Sequence, residues 1–256
     1  MFKLITIPVS HYCEKVRWAL EYLDISFQEL PHSPPFHRQA TKKYGGISTP
    51  VLVTDMDNVW TDSTDILRYL ETLHPEKLYP IAPELQPLIL ELEQLFNQKL
   101  GVNTRRWGYS YILTPELVRA KWTAGVPFWE KLLFPIVFPK VRSIIVESMK
   151  ITDTSAAESL AEIDLVFNRV SEVLSDGRKY LLGDSFSAID ITFAALSAPI
   201  LQPAEHPILR SPLDSLPAQM QADIHRISTT PAGEFGLRLY RENRQMKSIS
   251  SSPTNL

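Results

Sequence analysis

Residues 5–22 read ITIPVSHYCEKVRWALEY, and the spacing of their apolar positions changes partway along. Lys3 to Ile7 is rich in β-branched side chains and stops at Pro8, as a short strand does. From Tyr12 onward Val16, Ala19, Leu20 and Leu23 recur at spacings of three and four, with Glu14, Lys15, Arg17 and Glu21 among them, which predicts an amphipathic helix. Ser10 falls at or just before the start of that helix, and Cys13, the chain's single cysteine, follows three residues later. The junction offers three roles: a reactive thiol, a serine that holds a thiol brought by a ligand, or a plain helix cap.

Outward from this junction the pattern stays α/β for some seventy residues. Ile25 to Leu30 alternates as a second strand, and Phe36 to Lys43 suggests a short helix before Gly45 and Gly46. Val51 to Thr54 and Val59 to Thr61 predict two strands joined by a turn at Asp55 to Asn58. Asp62 and Ser63 then stand where a helix must be capped, and Ile66, Leu67, Leu70 and Leu73 form its apolar stripe. The order is β-α-β-α-β-β-α.

Pro75, Pro80, Pro83 and Pro87 follow within thirteen residues, a stiff connector that places a boundary near residue 82. Beyond it only helical periods appear, over roughly Leu88 to Leu100, Val126 to Met149, Ala156 to Leu174 and Ser187 to Leu201. The expected organisation is an α/β domain over 1–80, a linker over 81–87, an all-helical domain over 88–245, and a disordered serine-rich tail over 246–256. Leu132 to Val146 is the most apolar run, and its Pro135 and Pro139 predict a buried helix with a kink or break.

Composition excludes several classes of function. With 26 Lys and Arg against 29 Asp and Glu, the net charge of -3 gives no general attraction to nucleic acid or to acidic lipid. One cysteine cannot build an internal disulfide and suits a reducing compartment, so a cytoplasmic location is the expectation. The first residues lack the length and small-residue site of a signal peptide, and no run reaches the ~18 apolar residues of a membrane span. The six histidines show no metal-ligand spacing, and no glycine-rich loop is placed to cradle a phosphate, so neither metal nor nucleotide is expected.

The seven-element unit joined to a helical domain resembles the cytosolic glutathione transferases, and four local motifs carry the likeness. SHYCEKVRWAL is similar to the family's catalytic stretch and to the glutaredoxin Cys-Pro-Tyr-Cys motif, with Ser10 in the first position and His11 in the second. GGISTPVLV resembles the segment that ends in a cis-proline, here Pro50. DSTDILRYL is similar to the family's acidic residue and serine at a helix start, and LLGDSFSAIDITFAAL to a capping box deep in the second domain, through Ser187 and Asp190. The matches cover roughly 3–73 and 180–201, whereas the segment from Gly101 to Asp153 resembles nothing in particular.

The resemblance implies an α/β thioredoxin-like N-terminal domain followed by an all-α C-terminal domain. It also implies a homodimeric transferase of the serine type that conjugates glutathione to hydrophobic electrophiles in detoxification, or reduces peroxides. Glutathione is then the co-substrate, with no further cofactor, metal, nucleic acid or membrane partner. Ser10 would stabilise the glutathione thiolate, the backbone at Thr49 before Pro50 would pair with the cysteinyl part, and Asp62 with Ser63 would hold the γ-glutamyl end.

Each of these residues also has a plainer role. Ser10, Asp62 and Ser63 are also good caps, and Cys13 is also a small buried apolar side chain. Lys15, Arg17 and the helix start would favour a Cys13 thiolate and a mixed disulfide, which keeps a thiol oxidoreductase as an alternative beside a non-catalytic ligand carrier. His11 either lines the ligand site or faces solvent. Trp107, Tyr109 and Tyr111, with Phe128 and Trp129, are candidates for an apolar electrophile site or for core packing, while Arg105 and Arg106 attract an anionic substrate or simply meet water.

Overall fold

The computed structural model describes residues 1–208 and 212–244. The tail expected to be disordered, 246–256, lies outside the described residues. Four strands form one mixed sheet in the order β2-β1-β3-β4, from β1 (Phe2–Thr6), β2 (Phe27–Pro31), β3 (Val51–Val53) and β4 (Val59–Trp60). β1 runs parallel to β2 with Leu4 opposite Glu29, and antiparallel to β3 with Leu4 opposite Leu52. The parallel pair needs a crossover, which α1 (His11–Tyr22) supplies. The short α2 (His37–Lys42) and then α3 (Ser63–Leu73) complete the seven-element unit.

Among the described residues the elements that follow it are all helices. α4 (Gln86–Leu95) passes through one wider turn of π geometry, Phe96–Leu100, into α5 (Gly101–Ile112). Next come α6 (Pro115–Trp122), α7 (Phe128–Ser148), α8 (Asp153–Val173), α9 (Ala188–Leu201), α10 (Ala218–Ser228) and α11 (Pro231–Asn243). Every residue of α9 except Pro199 is buried, as a helix apolar on all sides must be. Its start is the Ser187–Asp190 box: Asp190 accepts from the Ser187 N–H at 2.9 Å and from the Leu181 N–H at 2.9 Å. Burial raises the Asp190 carboxyl to about 6 despite those bonds.

The helical domain is docked on the α/β domain through α1, which packs against α9 and α3. One contiguous core holds Leu4, Trp18 and Leu20 together with Phe193, Leu196 and Tyr240, and the Trp18 and Tyr240 rings stand 4.8 Å apart. The proline-rich connector is anchored at Leu78, which is fully buried and whose carbonyl accepts from the Ala188 N–H at 2.8 Å. The expectation for the apolar run near residue 140 needs correction. α7 runs unbroken through Pro135 and Pro139, and it is not a buried helix. The stripe of Phe134, Phe138 and Val141 is buried in a satellite cluster with Leu113, Val118 and Trp122, with Val137, Ile145 and Val146 half-buried against it, while Phe128, Leu132 and Ile136 are exposed. Spacings of four and three turn one side of α7 inward and leave the opposite side to solvent.

Candidate functional site

The start of α1 is built by one hydroxyl and one turn. Ser10 is extended, its N–H bonds the Ile7 carbonyl at 3.0 Å, and its Oγ accepts from the Cys13 N–H at 3.3 Å. A serine hydroxyl carries two lone pairs and one proton, so capping leaves the proton available to an incoming acceptor. The first helical N–H groups also present partial positive charge, which favours an anion. The cap and the anion-holding role of Ser10 are therefore compatible, because they use different parts of one side chain.

Beside it the Thr49–Pro50 peptide is cis, as the sequence led us to expect. Thr49 precedes the first ladder residue of β3, Val51, and both Ser48 and Thr49 line the same cleft as Ser10. Pro50 itself is buried.

The other two residues of the motif have turned inward. Cys13 has no solvent exposure, and burial pushes its thiol up despite the Arg17 charge and hydrogen bonding with Ser10, Thr49 and the Ile7 backbone. The expected activation by Lys15 and Arg17 fails for a physical reason. Lys15 directs its ammonium to Thr64 Oγ1 at 2.9 Å and Asn97 Oδ1 at 3.3 Å, and Arg17 directs its guanidinium to Glu14, Glu29 and the Pro8 carbonyl. His11 does not face solvent. It is buried at the inner end of the cleft with Nε2 on the Gly101 carbonyl at 2.9 Å, and burial followed by the Arg105 charge lowers it to about 3. A neutral ring must donate to that carbonyl, so His11 pins α1 to α5.

At the start of α3, Asp62 is exposed and its Oδ1 accepts from Thr64 N–H at 2.7 Å and Asp65 N–H at 3.2 Å. Ser63 is buried beside it. The Lys15–Thr64 bond ties this helix start to α1. Asp62 and Ser63 do not line the cleft of Ser10.

The far wall comes from the helical domain and divides the aromatic cluster read from the sequence. Tyr109 lines the cleft, together with Arg105, Ile112, Trp122 and Met220, and the open space measured out to the mouth is about 900 Å³. Trp107 and Tyr111 point the other way: the indole Nε1 donates to Asp223 at 3.1 Å, the Tyr111 hydroxyl to the same oxygen at 3.3 Å, and their rings meet edge to face. They brace α5 against α10 and do not line this cleft. Phe128 and Trp129 sit on α7, Trp129 against the Phe36 ring. Arg106 is committed to the Met149 carbonyl and Ser159, so neither it nor Arg105 simply meets water. Tyr12 was not singled out from sequence; it lines the cleft and its hydroxyl donates to the Asn97 carbonyl at 2.9 Å, within the π turn. Among the described residues no group of three or more His, Cys, Asp or Glu could hold a metal, and no helix is long and apolar enough to cross a membrane.

Residues 4–78 match the family described as glutathione S-transferase, N-terminal domain. Across the whole chain the fold is that of solved glutathione transferases. A glutathione S-transferase of Ceriporiopsis subvermispora, solved in complex with glutathione, is 18% identical with a TM-score of 0.63, over 96% of this chain and 99% of that one. A glutathione transferase of Phanerochaete chrysosporium is 14% identical with a TM-score of 0.63, over 96% and 98%. A β-etherase of a Sphingobium species is 19% identical with a TM-score of 0.58, over 93% and 98%. No curated protein sequence matches the chain.

Proposed function

We propose, for a chain whose residues 4–78 match the glutathione S-transferase N-terminal domain family and whose whole length takes the fold of solved glutathione transferases, a glutathione transferase that works through Ser10. A fold hosts many activities, so the reading rests on the site. The observation that carries it is the Ser10 hydroxyl: it caps α1 with a lone pair, keeps its proton, and borders the cleft beside the Thr49–Pro50 peptide.

In this reading glutathione lies extended along Thr49 and Pro50, its sulfur reaches Ser10, and its γ-glutamyl end meets Asp62 and Ser63 at the start of α3. The thiol gives its proton to solvent, and the Ser10 O–H donates to the thiolate that remains. An ordinary thiol titrates near 8.5, and lowering it by about two units takes roughly 2.7 kcal/mol, within reach of one charge-assisted hydrogen bond plus a helix terminus. The thiolate sulfur then forms a bond to an electrophilic carbon in the apolar half of the cleft, and the leaving group departs with the bonding pair. Cys13, buried with its thiol raised, takes no part. By the same resemblance the protein works as a cytoplasmic homodimer, which light scattering checks.

Titration of the ultraviolet thiolate absorbance of bound glutathione tests the assignment. The wild type is expected to hold the thiol well below 8.5, and Ser10→Ala to return it most of the way. Identical titrations in the two proteins would remove Ser10 from the mechanism. Tight glutathione binding with no turnover across aryl halides, isothiocyanates and peroxides would make the protein a carrier instead.

A further inference from the structure

Among the described residues two that line the cleft keep a buried polar atom without a partner, the acceptor Gln202 Oε1 and the donor Arg105, and only the arginine carries a charge. Its Nε is buried without a hydrogen-bond partner, although a guanidinium N–H shut away from both water and an acceptor is costly. Its neighbour Arg106 shows the contrast, with Nε on the Met149 carbonyl at 3.1 Å. The Arg105 charge bears on the cleft: burial lowers His11 and raises Tyr12 and Tyr109, and the guanidinium adds to the first shift and opposes the other two, at three residues that all line the space. Lys121, from α6, adds a second cation to the same lining, and no Asp or Glu among the described residues does so. His11 stays uncharged, so it neither adds to nor cancels this field.

A protein of net charge -3 has thus placed two cations and, among the described residues, no carboxylate around a space whose helical-domain wall includes Ile112, Trp122 and Met220. There is also room beside them. Gly108 is one turn beyond Arg105 on α5, a Cβ there would meet nothing within 4 Å, and residues three apart are neighbours on a helix surface.

We propose that Arg105 sets the second substrate of this cleft: an aromatic molecule carrying an anionic oxygen group, a carboxylate in the first instance, which the guanidinium holds while the ring lies among Ile112, Trp122 and Met220. Arg105 is then a specificity residue. The inference rests on the transferase reading only for the word substrate, since the anion is held whether or not a sulfur attacks its carrier.

Calorimetry with a matched pair of probes, naphthoate and naphthylmethanol, tests it on the full-length protein saturated with glutathione. Wild type should bind the acid more tightly than the alcohol. Arg105→Met should weaken the acid by about tenfold to a hundredfold, the worth of one hydrogen bond to a charged group, and change the alcohol less than about twofold. Arg105→Lys, which keeps the charge but not the planar fork, should fall between, and guards against a Met variant that folds poorly. Equal binding of the two probes by wild type, or parallel losses in Arg105→Met, would overturn the proposal. So would an Arg105→Met that binds naphthoate normally but glutathione poorly, because the arginine would then serve the tripeptide's own carboxylate. Failure of the transferase reading shows elsewhere, in the thiolate titration, in which naphthoate takes no part.

Discussion

The starts of α1 and α3 are both helix N-termini capped by a side-chain oxygen, and they differ in every respect that matters to chemistry. Ser10 caps with one contact at 3.3 Å and keeps a proton; Asp62 caps with two, at 2.7 and 3.2 Å, and has only acceptor oxygens. The first turn of α1 carries Glu14, fully buried, whereas that of α3 carries Asp65, exposed. Glu14 lies in an ionic network: Arg17 at 3.2 Å on one oxygen, Arg244 at 2.7 Å on the other, with Glu29 and Glu21 completing the two arginines. The difference teaches that the α1 start, to which the proposal gives the thiolate, is immobilised by a buried ionic network, whereas the α3 start, to which it gives the γ-glutamyl end, has an exposed carboxylate in its first turn.

The largest break in this comparison is at Glu14. Glu14→Gln leaves Arg17 and Arg244 short of a buried counter-charge and should cost about 3 kcal/mol in urea denaturation, whereas Asp65→Asn should cost under about 0.5 kcal/mol. Burial alone would raise the Glu14 carboxyl, but Arg244, His206 and Arg17 outweigh it and hold the group at about 2. A folded value below the unfolded one adds stability at neutral pH that is lost as pH falls, here from 4.5 toward 2. His11 adds an earlier loss of the same direction. It is neutral when folded, the unfolded chain binds a proton below 6.5, and stability should therefore decline from 6.5 toward 3, less steeply in His11→Gln.

Second in size is the cap itself. Ser10→Asp keeps an α1 cap but has no hydroxyl proton and carries a negative charge, so conjugation should fall by about a hundredfold or more while the protein stays folded. Full activity in Ser10→Asp would reduce Ser10 to a cap and make the two helix starts equivalent. At the other helix, Asp62→Ala should cost about 1 kcal/mol of stability and weaken glutathione, whereas Asp62→Asn should restore the stability and not the affinity. Rescue of both by Asn would leave α3 a purely structural start.

The smallest effects lie in α5, across the cleft. Gly108→Ala should stabilise by about 0.5–1 kcal/mol, because a helix-interior glycine gains from a Cβ that here touches nothing. Gly101→Ala should destabilise, since its Cβ would stand 2.4 Å from the Tyr12 hydroxyl, in the seam where α1 meets α5. Thermal denaturation of the pair reads both signs.

Local chemistry wrote much of this into the sequence. The change of period at Ser10, the cap at Asp62, the proline of the Thr49–Pro50 bond and the Ser187–Asp190 box all depend on residues within a few positions of each other, and each stands where the sequence placed it. The cleft was less legible. In α5 the i, i+4 rule groups Arg105 with Tyr109 and Trp107 with Tyr111, but both faces are aromatic, and periodicity cannot say which of them turns to the core. The choice was made by Asp223, more than a hundred residues away on α10, which takes hydrogen bonds from Trp107 and Tyr111 and leaves Arg105 and Tyr109 to the cleft. α7 was misread for a related reason, since an apolar composition does not tell which side finds a partner.

The sequence by itself determined the order of the elements and the Ser10 turn, because both follow from backbone preferences and short-range hydrogen bonds. Only the tertiary structure decided that Cys13 is shut away, that His11 is neutral, that Arg244 backs Glu14 from 230 positions along the chain, and that Arg105 faces the cleft. Those outcomes depend on which surfaces lose their water when the two halves of the chain close on α1, and desolvation is a property of the packed whole.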